Sequence, residues 1–324
     1  MAEKEHNLPI LAIVVPCYNE QEVLPSTNER LAALLARMVD DGTVSPLSRL
    51  VYVDDGSRDT TWRLIESYCR DNSLVSGLKM AGNRGHQNAL MAGIDTARDK
   101  LKASAIVTID ADLQDDPEAI VEMTTLFNDG ADIVMGVRRD RSKDSWFKRT
   151  TAQGFYRLMQ RMGVDVTYNH ADYRLISRRV AFAMKRYPER NLFLRGVIKS
   201  MGFNQKSVFY DRTERLAGES KYPLGKMINF AIDGITSFSV KPVRLVFTMG
   251  VIFMIIALGI LAYVLHAKFT GHAVSGWASM MLSLWFVGGC VLLALGVVGE
   301  YIAKIYIEVK GRPRYHIDQW IHNP

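Results

Sequence analysis

Acidic side chains follow three apolar segments, and their types and spacing are suited to binding a cation and phosphate groups. The segments 10–15, 50–53 and 105–109 are followed by Glu20, by Asp54 and Asp55, and by Asp110 and Asp112, respectively. Carboxylates held close together repel one another unless a cation or hydrogen-bond donors are present. Two aspartates in an Asp-x-Asp pattern can offer oxygen ligands to one hard cation. Mg²⁺ or Mn²⁺ fits this set, with water and phosphate oxygens completing the coordination.

The elements that must position these side chains alternate between strand and helix. We predict strands at 10–15, 50–53, 75–80, 105–109 and 133–136. Asn19, followed three residues later by Glu22, fits a capping box at the start of the first helix. Alternation of this kind predicts an α/β fold with a mostly parallel sheet flanked by helices. Ligands of such sheets bind beyond the carboxyl ends of the strands, so the carboxylates should share one edge.

Several other chemistries lack support in the sequence. Neither a G-x-G-x-x-G fingerprint nor a P-loop follows the first strand, which removes the main support for nicotinamide or P-loop ATP binding. The cysteines Cys17, Cys69 and Cys290 are scattered and have neither a disulfide pattern nor a metal-binding spacing. Asp59, Asp115 and Asp116 are expected to be helix caps or surface charges.

Charged residues are distributed unevenly along the 324-residue chain. Of the 74 Asp, Glu, Lys and Arg residues, 66 lie in 1–244, whereas Leu245–Ala267 and Phe269–Gly299 contain none. Crossing about 30 Å of hydrocarbon takes about 20 apolar residues. We therefore predict membrane spans at about 245–265 and 277–299, with a buried helical hairpin as the alternative. Basic residues flank the pair of spans on both sides, which predicts that both flanks are cytoplasmic.

A basic segment lies at residues 138–161, with eight Arg or Lys and two Asp. Arginine binds phosphate through its planar fork, and anionic lipid leaflets attract such clusters. A solvated helix face is the alternative. Since no nucleic-acid-binding signature accompanies the charge, we do not expect a nucleic-acid partner.

The motifs PCYNE (16–20), DDGS (54–57), GNRG (82–85) and DADLQDDPE (110–118) resemble the family 2 glycosyltransferases. That family carries a nucleotide-sugar-binding domain of the GT-A fold. The segments NHADYRLISRR, ERNLFLRG, RLAGESKY, GITSF and GEYIAKIYIEVKGRPRY resemble its polyisoprenyl-phosphate subgroup, bactoprenol glucosyltransferases in particular, a subgroup that also includes dolichol-phosphate-mannose synthases. The resemblance covers roughly residues 8–315. The QxxRW motif of the processive synthases is absent, which argues against a polysaccharide polymerase.

The resemblance implies a role for each matching residue. Pro16, Tyr18, Glu20 and Asp55 would hold the nucleotide base and ribose, while Asp110, Ala111, Asp112 and Gln114 would hold the diphosphate, its metal and the sugar, with Asp110 and Asp112 as metal ligands. Arg215 and Lys221 would close over the diphosphate, and Arg138 and Arg149 would bind the lipid phosphate. Asp172 would act as a base or as a positioning residue. Gln153 replaces a serine that the family usually has at the acceptor-phosphate site.

The charge and hydropathy pattern, together with the resemblance, predicts a domain order. Residues 1–222 would form a cytoplasmic GT-A catalytic domain and 223–242 an amphipathic juxtamembrane helix, with packing against the soluble domain as the alternative. Residues 243–303 would hold the two spans and 304–324 a basic cytoplasmic tail. The enzyme would thus be a multi-pass protein of a bacterial inner membrane, with both termini in the cytoplasm.

The implied reaction is the inverting, metal-dependent transfer of a sugar from a nucleotide sugar to a polyprenyl phosphate. Glucose from UDP-glucose and undecaprenyl phosphate are the expected substrates. Another sugar such as mannose or an aminosugar is an alternative, as are a sugar nucleotidyltransferase and a non-catalytic membrane partner. The choice between Mg²⁺ and Mn²⁺ and the oligomeric state, including a homo-oligomer, stay open.

Overall fold

The structure, a computed structural model, describes residues 8–139, 170–187, 189, 194–211, 241–270 and 276–323. The chain divides into two compact units. One comprises Met1–Ala152, Val166–Lys221 and Arg312–Pro324, and the other comprises Gln153–Asp165 and Tyr222–Gly311.

An eight-stranded, mostly parallel sheet forms the centre of the first unit. Its strands are β1 (Leu11–Cys17), β2 (Arg49–Asp54), β3 (Val75–Met80), β4 (Ala105–Thr108), β5 (Ile133–Arg138), β6 (His170–Ser177), β7 (Gln205–Tyr210) and β8 (Ile317–Ile321). Their order is β7-β5-β6-β4-β1-β2-β3-β8, and β6 and β8 run antiparallel to their neighbours. The predicted mostly parallel sheet is confirmed, and the five predicted strands coincide with β1–β5 to within a few residues.

Helices cover both faces of this sheet. They are α1 (Leu24–Asp40), α2 (Thr61–Asp71), α3 (His86–Asp99), α4 (Ala119–Asn128), α5 (Arg178–Met184) and α6 (Leu194–Ser200). Successive side chains of a strand point to opposite faces, so Ile13 and Val15 pack with α1, α2 and α4, whereas Val14 packs with α3, α5 and α6. Two buried layers thus hold the central strands, and each buried aliphatic side chain contributes about 1.5–3 kcal/mol.

Helix α3 approaches the sheet closely because Gly93 has no side chain. A Cβ atom at this position would lie 2.3 Å from Cγ1 of Val14 in β1 and 3.0 Å from Cγ2 of Val53 in β2. Side chains packed this tightly have no room for an added methyl group. Gly93 therefore sets the height of α3 above the sheet, and with it the position of His86, where α3 begins.

The strand β8 comes from the segment that we predicted to be a basic tail. It pairs antiparallel with β3, and the backbone N–H of Ala81 donates to the carbonyl oxygen of His316 at 2.9 Å. The ring of Trp320 in β8 stacks on His322 and lies beneath the ammonium group of Lys100. Residues 304–324 therefore include a strand of the sheet that the sequence pattern did not predict.

Two long helices, α7 (Lys241–Phe269) and α8 (Trp277–Val309), belong to the second unit. By length and composition, 241–260 and 286–309 are candidate membrane spans, and neither is buried within the protein. Rings of Phe253 and Phe286 meet edge to face, with centroids 5.7 Å apart, so the helices contact each other. Both run beyond the predicted spans, α8 by the larger margin. The predicted juxtamembrane helix lies outside the described residues except for its last two positions.

Candidate active site

The parallel register brings the chemically promising residues to one edge of the sheet. Cys17 pairs with Asp54 at the ends of β1 and β2, and the N–H of Ile109, just after β4, donates to the carbonyl of Val14 in β1. The loops that follow β1, β2 and β4 therefore leave the sheet side by side. This confirms the shared edge that the strand pattern predicted.

The loop after β1 is tied to the loop after β2 by Asn19. Its side-chain oxygen accepts from the N–H of Arg58 at 2.8 Å, and its own N–H donates to the hydroxyl of Ser57 at 3.0 Å. Asn19 has a φ of 55°, a left-handed conformation that asparagine tolerates better than most residues. Helix α1 begins only at Leu24 and has no side-chain cap, so the predicted capping box is wrong.

Three of the residues expected to bind the nucleotide lie on this loop or at its start. Pro16 is buried within β1, Tyr18 exposes 40% of its surface, and the backbone N–H of Glu20 donates to the hydroxyl of Thr61 at 2.9 Å. Glu20 also lines a surface depression of about 480 Å³, together with Asn19 and Arg58. That volume is within the range of small-ligand sites.

The paired aspartates at the carboxyl end of β2, of which Asp54 is the last strand residue, are both buried. Asp54 is buried, and its Oδ1 accepts from the N–H of Ser57 at 3.2 Å. Asp55 accepts from two backbone N–H groups of the loop after β3, that of Arg84 at 2.6 Å and that of Gly85 at 2.8 Å. Burial raises the pKa of both carboxyls, and the two loop N–H groups oppose that rise at Asp55. Asp55 thus clamps the loop that leads into α3.

Gly56 allows these two loops to approach each other. Its φ is +69°, and a Cβ atom there would lie 2.7 Å from the backbone nitrogen of Asn83. Both the left-handed conformation and the contact with backbone favour glycine. The glycine of the DDGS motif therefore has a packing explanation.

The loop after β4 carries the Asp-x-Asp pair on a tight turn. Leu113 has a φ of 44°, its N–H donates to the carbonyl of Asp110 at 3.3 Å, and the N–H of Gln114 donates to Asp112 at 3.3 Å. The hydroxyl of Thr27 in α1 donates to the carbonyl of Ala111 at 2.6 Å. Ala111 and Gln114 are buried, whereas Asp110 and Asp112 are partly exposed. The turn therefore presents two carboxylates while its other residues anchor it.

Asp110 lies in a strongly acidic environment. Burial of the carboxyl and the charges of Asp172, Asp115 and Asp112 raise its pKa to about 6, although His86 opposes this. About 40% of the side chain is exposed, yet its Oδ1 atom is buried and accepts no hydrogen bond from any described residue. A buried acceptor with no donor is costly unless a ligand or ion satisfies it.

The antiparallel pairing of β4 with β6 explains why Asp172 belongs to the same site. Thr108 in β4 pairs with Arg174 in β6, and the hydroxyl of Thr108 donates to the carbonyl of Asp172 at 2.6 Å. Asp172, which exposes only 9% of its side chain, thus lies across from Asp110. One side-chain oxygen accepts from the guanidinium of Arg174 and the other from Nε2 of Gln87. Each oxygen of the carboxylate therefore accepts a hydrogen bond.

His86 joins the two carboxylates at the start of α3. Its Nε2 atom lies 3.6 Å from Oδ1 of Asp110 and 3.6 Å from Oδ2 of Asp172. We did not predict His86, Gln87 or Arg174 as site residues. A signal existed for Arg174, since residues two apart in a strand point to the same face. His86 and Gln87 directly follow the GNRG motif. That motif lies near the site because Asp55 accepts hydrogen bonds from two of its N–H groups.

Arg138 forms an ion pair with the buried carboxylate of Asp115. Its Nε and Nη2 atoms lie 2.9 Å and 2.8 Å from Oδ1 of Asp115, which also accepts from the hydroxyl of Tyr210 at 2.7 Å. Burial lowers the pKa of Arg138, but the charge of Asp115 and the bond to Tyr210 leave it raised. Asp115 is only 2% exposed, so its interpretation as a cap or surface charge is wrong.

Four residues singled out from the sequence lie outside the described part of the chain. They are Arg149 and Gln153 near the predicted acceptor, and Arg215 and Lys221 near the predicted diphosphate. Most of the basic segment 138–161 lies there too.

The side chains present fit a divalent cation held by few protein ligands. Among the described residues, no group of three or more His, Cys, Asp or Glu side chains could hold a metal ion, so any cation here would have at most two such ligands. Mg²⁺ is typically bound by one or two carboxylates, with water and substrate phosphates as the remaining ligands. Asp110 and Asp112, with the unmet acceptor on Asp110, match that type of site.

The mostly parallel sheet and the helices on both of its faces form an α/β domain with carboxylates at one edge, and residues 12–182 match the family described as Glycosyl transferase family 2. The chain belongs to this family and is a glycosyltransferase.

Relatives align with nearly all of the chain. The uncharacterized glycosyltransferase YkoT of Bacillus subtilis is 47% identical, covering 97% of this chain and 93% of that protein. The SfII prophage-derived bactoprenol glucosyl transferase of Shigella flexneri is 38% identical, covering 95% of this chain and 97% of that protein. Among solved structures, the mannosyltransferase PcManGT from Pyrobaculum calidifontis has a TM-score of 0.42 at 16% identity, covering 94% of this chain and 86% of that one.

Proposed function

We propose that this glycosyltransferase transfers glucose from UDP-glucose to undecaprenyl phosphate, with inversion at the anomeric carbon and with Mg²⁺ or Mn²⁺ as cofactor. The observation that carries the proposal is the meeting of Asp110 and Asp172 at the carboxyl edge of the sheet, bridged by His86. The choice of glucose and of the lipid rests on relatives named bactoprenol glucosyl transferases that align with 95% of the chain.

The donor would lie across the loops after β1, β2 and β4. Tyr18 and Glu20 would contact the base and ribose beside Pro16, in the depression that Glu20 lines. Asp55 would shape this pocket indirectly, since both of its oxygens already hold the loop after β3. Ala111 and Gln114 would support the sugar and diphosphate from the turn after β4.

The leaving group of the reaction is a nucleoside diphosphate, on which negative charge grows in the transition state. Asp110 and Asp112 would hold the cation, and the unmet acceptor on Asp110 supports this assignment. When bound, the cation would stabilise the charge that develops on the diphosphate. By the family resemblance, Arg215 and Lys221 would stabilise the same negative charge on the diphosphate.

The acceptor phosphate needs little help to become a nucleophile. A phosphate monoester has its second pKa near 6, so the dianion is the main species at neutral pH. A strong general base is therefore unnecessary, and Asp172, which has a donor on each oxygen, fits the role of a positioning residue. Arg149 and the exposed part of Arg138 would contact the lipid phosphate. One displacement at the anomeric carbon would invert its configuration.

The membrane arrangement completes the proposal. Residues 1–222 would form the cytoplasmic catalytic domain, 223–242 would lie at the leaflet, and 243–303 would cross the membrane twice. The positive flanks support this orientation. Further support comes from β8, because strands before and after the two long helices share one sheet, as they would if both lie on the same side of the membrane. Residues 304–324 would accordingly return to the cytoplasm.

The reaction can be tested in membranes that contain the full chain. Labelled UDP-glucose with undecaprenyl phosphate and Mg²⁺ or Mn²⁺ should give a labelled, solvent-extractable lipid. GDP-mannose and UDP-N-acetylglucosamine, tested in parallel, should give much less product. Preference for another donor would replace the glucose assignment, and the absence of lipid product with every donor would refute the proposed function.

The orientation can be tested in intact cells by labelling single cysteines, introduced after Cys17, Cys69 and Cys290 have been replaced by serine. A cysteine at Ser275, between the two long helices, should react with a membrane-impermeant maleimide. A cysteine at exposed Asp318 in β8 should react only after the cells are permeabilised. The reverse labelling pattern would contradict the orientation.

A further inference from the structure

We propose that Gln87 is a positioning residue that fixes the carboxylate of Asp172 for sugar transfer. The inference rests on the proposed function, in which Asp172 orients the reacting groups. Nothing in the sequence pattern singles out Gln87, which is the second residue of α3 and is partly buried.

The side-chain amide of Gln87 joins three elements of the fold. Its Nε2 donates to Oδ2 of Asp172 in β6 at 3.3 Å, and its Oε1 accepts from the N–H of Leu194, the first residue of α6, at 3.3 Å. An amide has a donor end and an acceptor end. With both ends occupied in this way, turning the amide over would place its oxygen against the carboxylate. The two bonds therefore select one orientation for Gln87.

Gln87 and Arg174 hold opposite oxygens of the Asp172 carboxylate. Arg174 donates from Nη2 to Oδ1 and is only 2% exposed, so this contact is fixed within the sheet. The Gln87 amide donates to Oδ2 at 3.3 Å, and Nε2 of His86 lies 3.6 Å from the same oxygen. Removing the Gln87 donor would leave Oδ2 less well held. Small losses of alignment at a reacting group are known to reduce rate strongly.

The backbone that carries Gln87 is itself firmly placed. Asp55 holds the N–H groups of Arg84 and Gly85 just before α3, and Gly93 packs the same helix against β1. A change confined to the Gln87 side chain should therefore act on Asp172 with little effect on the helix. This separates a positioning role from a general role in folding.

Two substitutions of Gln87 dissect its donor and acceptor ends. Gln87→Met has a similar length and removes both hydrogen bonds. Gln87→Glu keeps an oxygen for the N–H of Leu194 but replaces the donor to Asp172 with a like charge. Gln205→Met is the matched control, since Gln205 is an exposed residue of the edge strand β7. Each variant is made in the full chain and in an Asp172→Asn background.

We expect Gln87→Met to lower kcat about tenfold, the effect of losing one hydrogen bond to a charged group, with KM for UDP-glucose changed less than about twofold. Gln87→Glu should lose at least as much activity. In the Asp172→Asn background, Gln87→Met should cause little further loss, because interacting residues are not additive. The thermal unfolding midpoint should lie no more than about 5 °C below that of Gln205→Met, because the lost bond to the N–H of Leu194 costs some stability.

Three results would overturn this role. The first is a kcat of Gln87→Met equal to that of the wild type. The second is a double variant whose fold loss in kcat equals the product of the losses of Gln87→Met and Asp172→Asn. The third is a loss of activity in Gln87→Met that is fully explained by a smaller amount of folded protein. Absence of transfer by the wild-type enzyme would instead refute the proposed function, and the role of Gln87 with it. The wild-type assay therefore distinguishes the two failures.

Discussion

Arg138 holds Oδ1 of Asp115 between its Nε atom at 2.9 Å and its Nη2 atom at 2.8 Å. Tyr210 donates to the same oxygen, so residues of β5 and β7 neutralise and bind a carboxylate that directly follows the turn after β4. Asp115 comes one residue after Gln114. The ion pair therefore supports the turn that presents Asp110 and Asp112.

Loss of this buried pair should destabilise the fold. Asp115→Ala leaves the Arg138 charge without its partner, which typically costs about 3–5 kcal/mol. Glu118→Ala is the control, because Glu118 pairs with Arg37 at the exposed surface, where a pair contributes about 0–1 kcal/mol. Urea unfolding followed by circular dichroism compares the two. Equal midpoints for the two variants would show that the buried pair is energetically unimportant.

Asp112→Asn should nearly abolish transfer while leaving the fold intact. Loss of one anionic ligand would weaken binding of the cation that stabilises the leaving diphosphate. Removal of one such stabilising group typically lowers kcat by about 100-fold or more. The measurement is lipid-linked sugar formed per folded enzyme. Asp71→Asn, at the exposed end of α2, should be unaffected. Activity of Asp112→Asn near that of Asp71→Asn would refute the metal assignment.

A chelator should have a matching effect on the wild-type enzyme. EDTA is expected to stop transfer, and added Mg²⁺ or Mn²⁺ should restore it, because Asp110 and Asp112 supply too few ligands to hold a cation tightly on their own. The assay follows labelled lipid before and after metal addition. Full activity in EDTA, after removal of tightly bound metal has been verified, would contradict a metal-dependent reaction.

Gly56→Ala should weaken donor binding. The new Cβ would lie 2.7 Å from the nitrogen of Asn83 and would push apart the loops after β2 and β3. We expect KM for UDP-glucose to rise and the protein to lose about 1–3 kcal/mol of stability. Gly42→Ala is the control for conformational strain alone, since Gly42 has a φ of +66° but nothing within 4 Å of the added atom. Equal KM values for both variants would show that the loop contact is unimportant.

Much of the site was predictable because its residues follow parallel strands. Hydrophobic segments located β1–β5, and the carboxyl-end rule placed Asp55, Asp110 and Asp112 at one edge. Contacts between distant parts of the chain were not predictable. The bond from Gln87 to Asp172 depends on the antiparallel pairing of β4 with β6, and no local pattern encodes that pairing.

Side-chain roles were harder to predict than positions. Asp115 lies in a run of polar residues that resembles a helix start, and only the folded sheet shows that Arg138 and Tyr210 surround it. Strand β8 was missed for a related reason. Its sequence, IDQWI, is short and follows a basic stretch, so its pairing with β3 depends on tertiary contacts.

The position of β8 in the chain has a consequence for biosynthesis. The strand that covers the edge of β3 is translated only after both α7 and α8, so the ribosome produces the sheet with one edge open. An open edge favours pairing with other chains. Completion of the sheet would thus wait until α7 and α8, which contain the candidate membrane spans, have been made, and full assembly of the enzyme would be delayed until then.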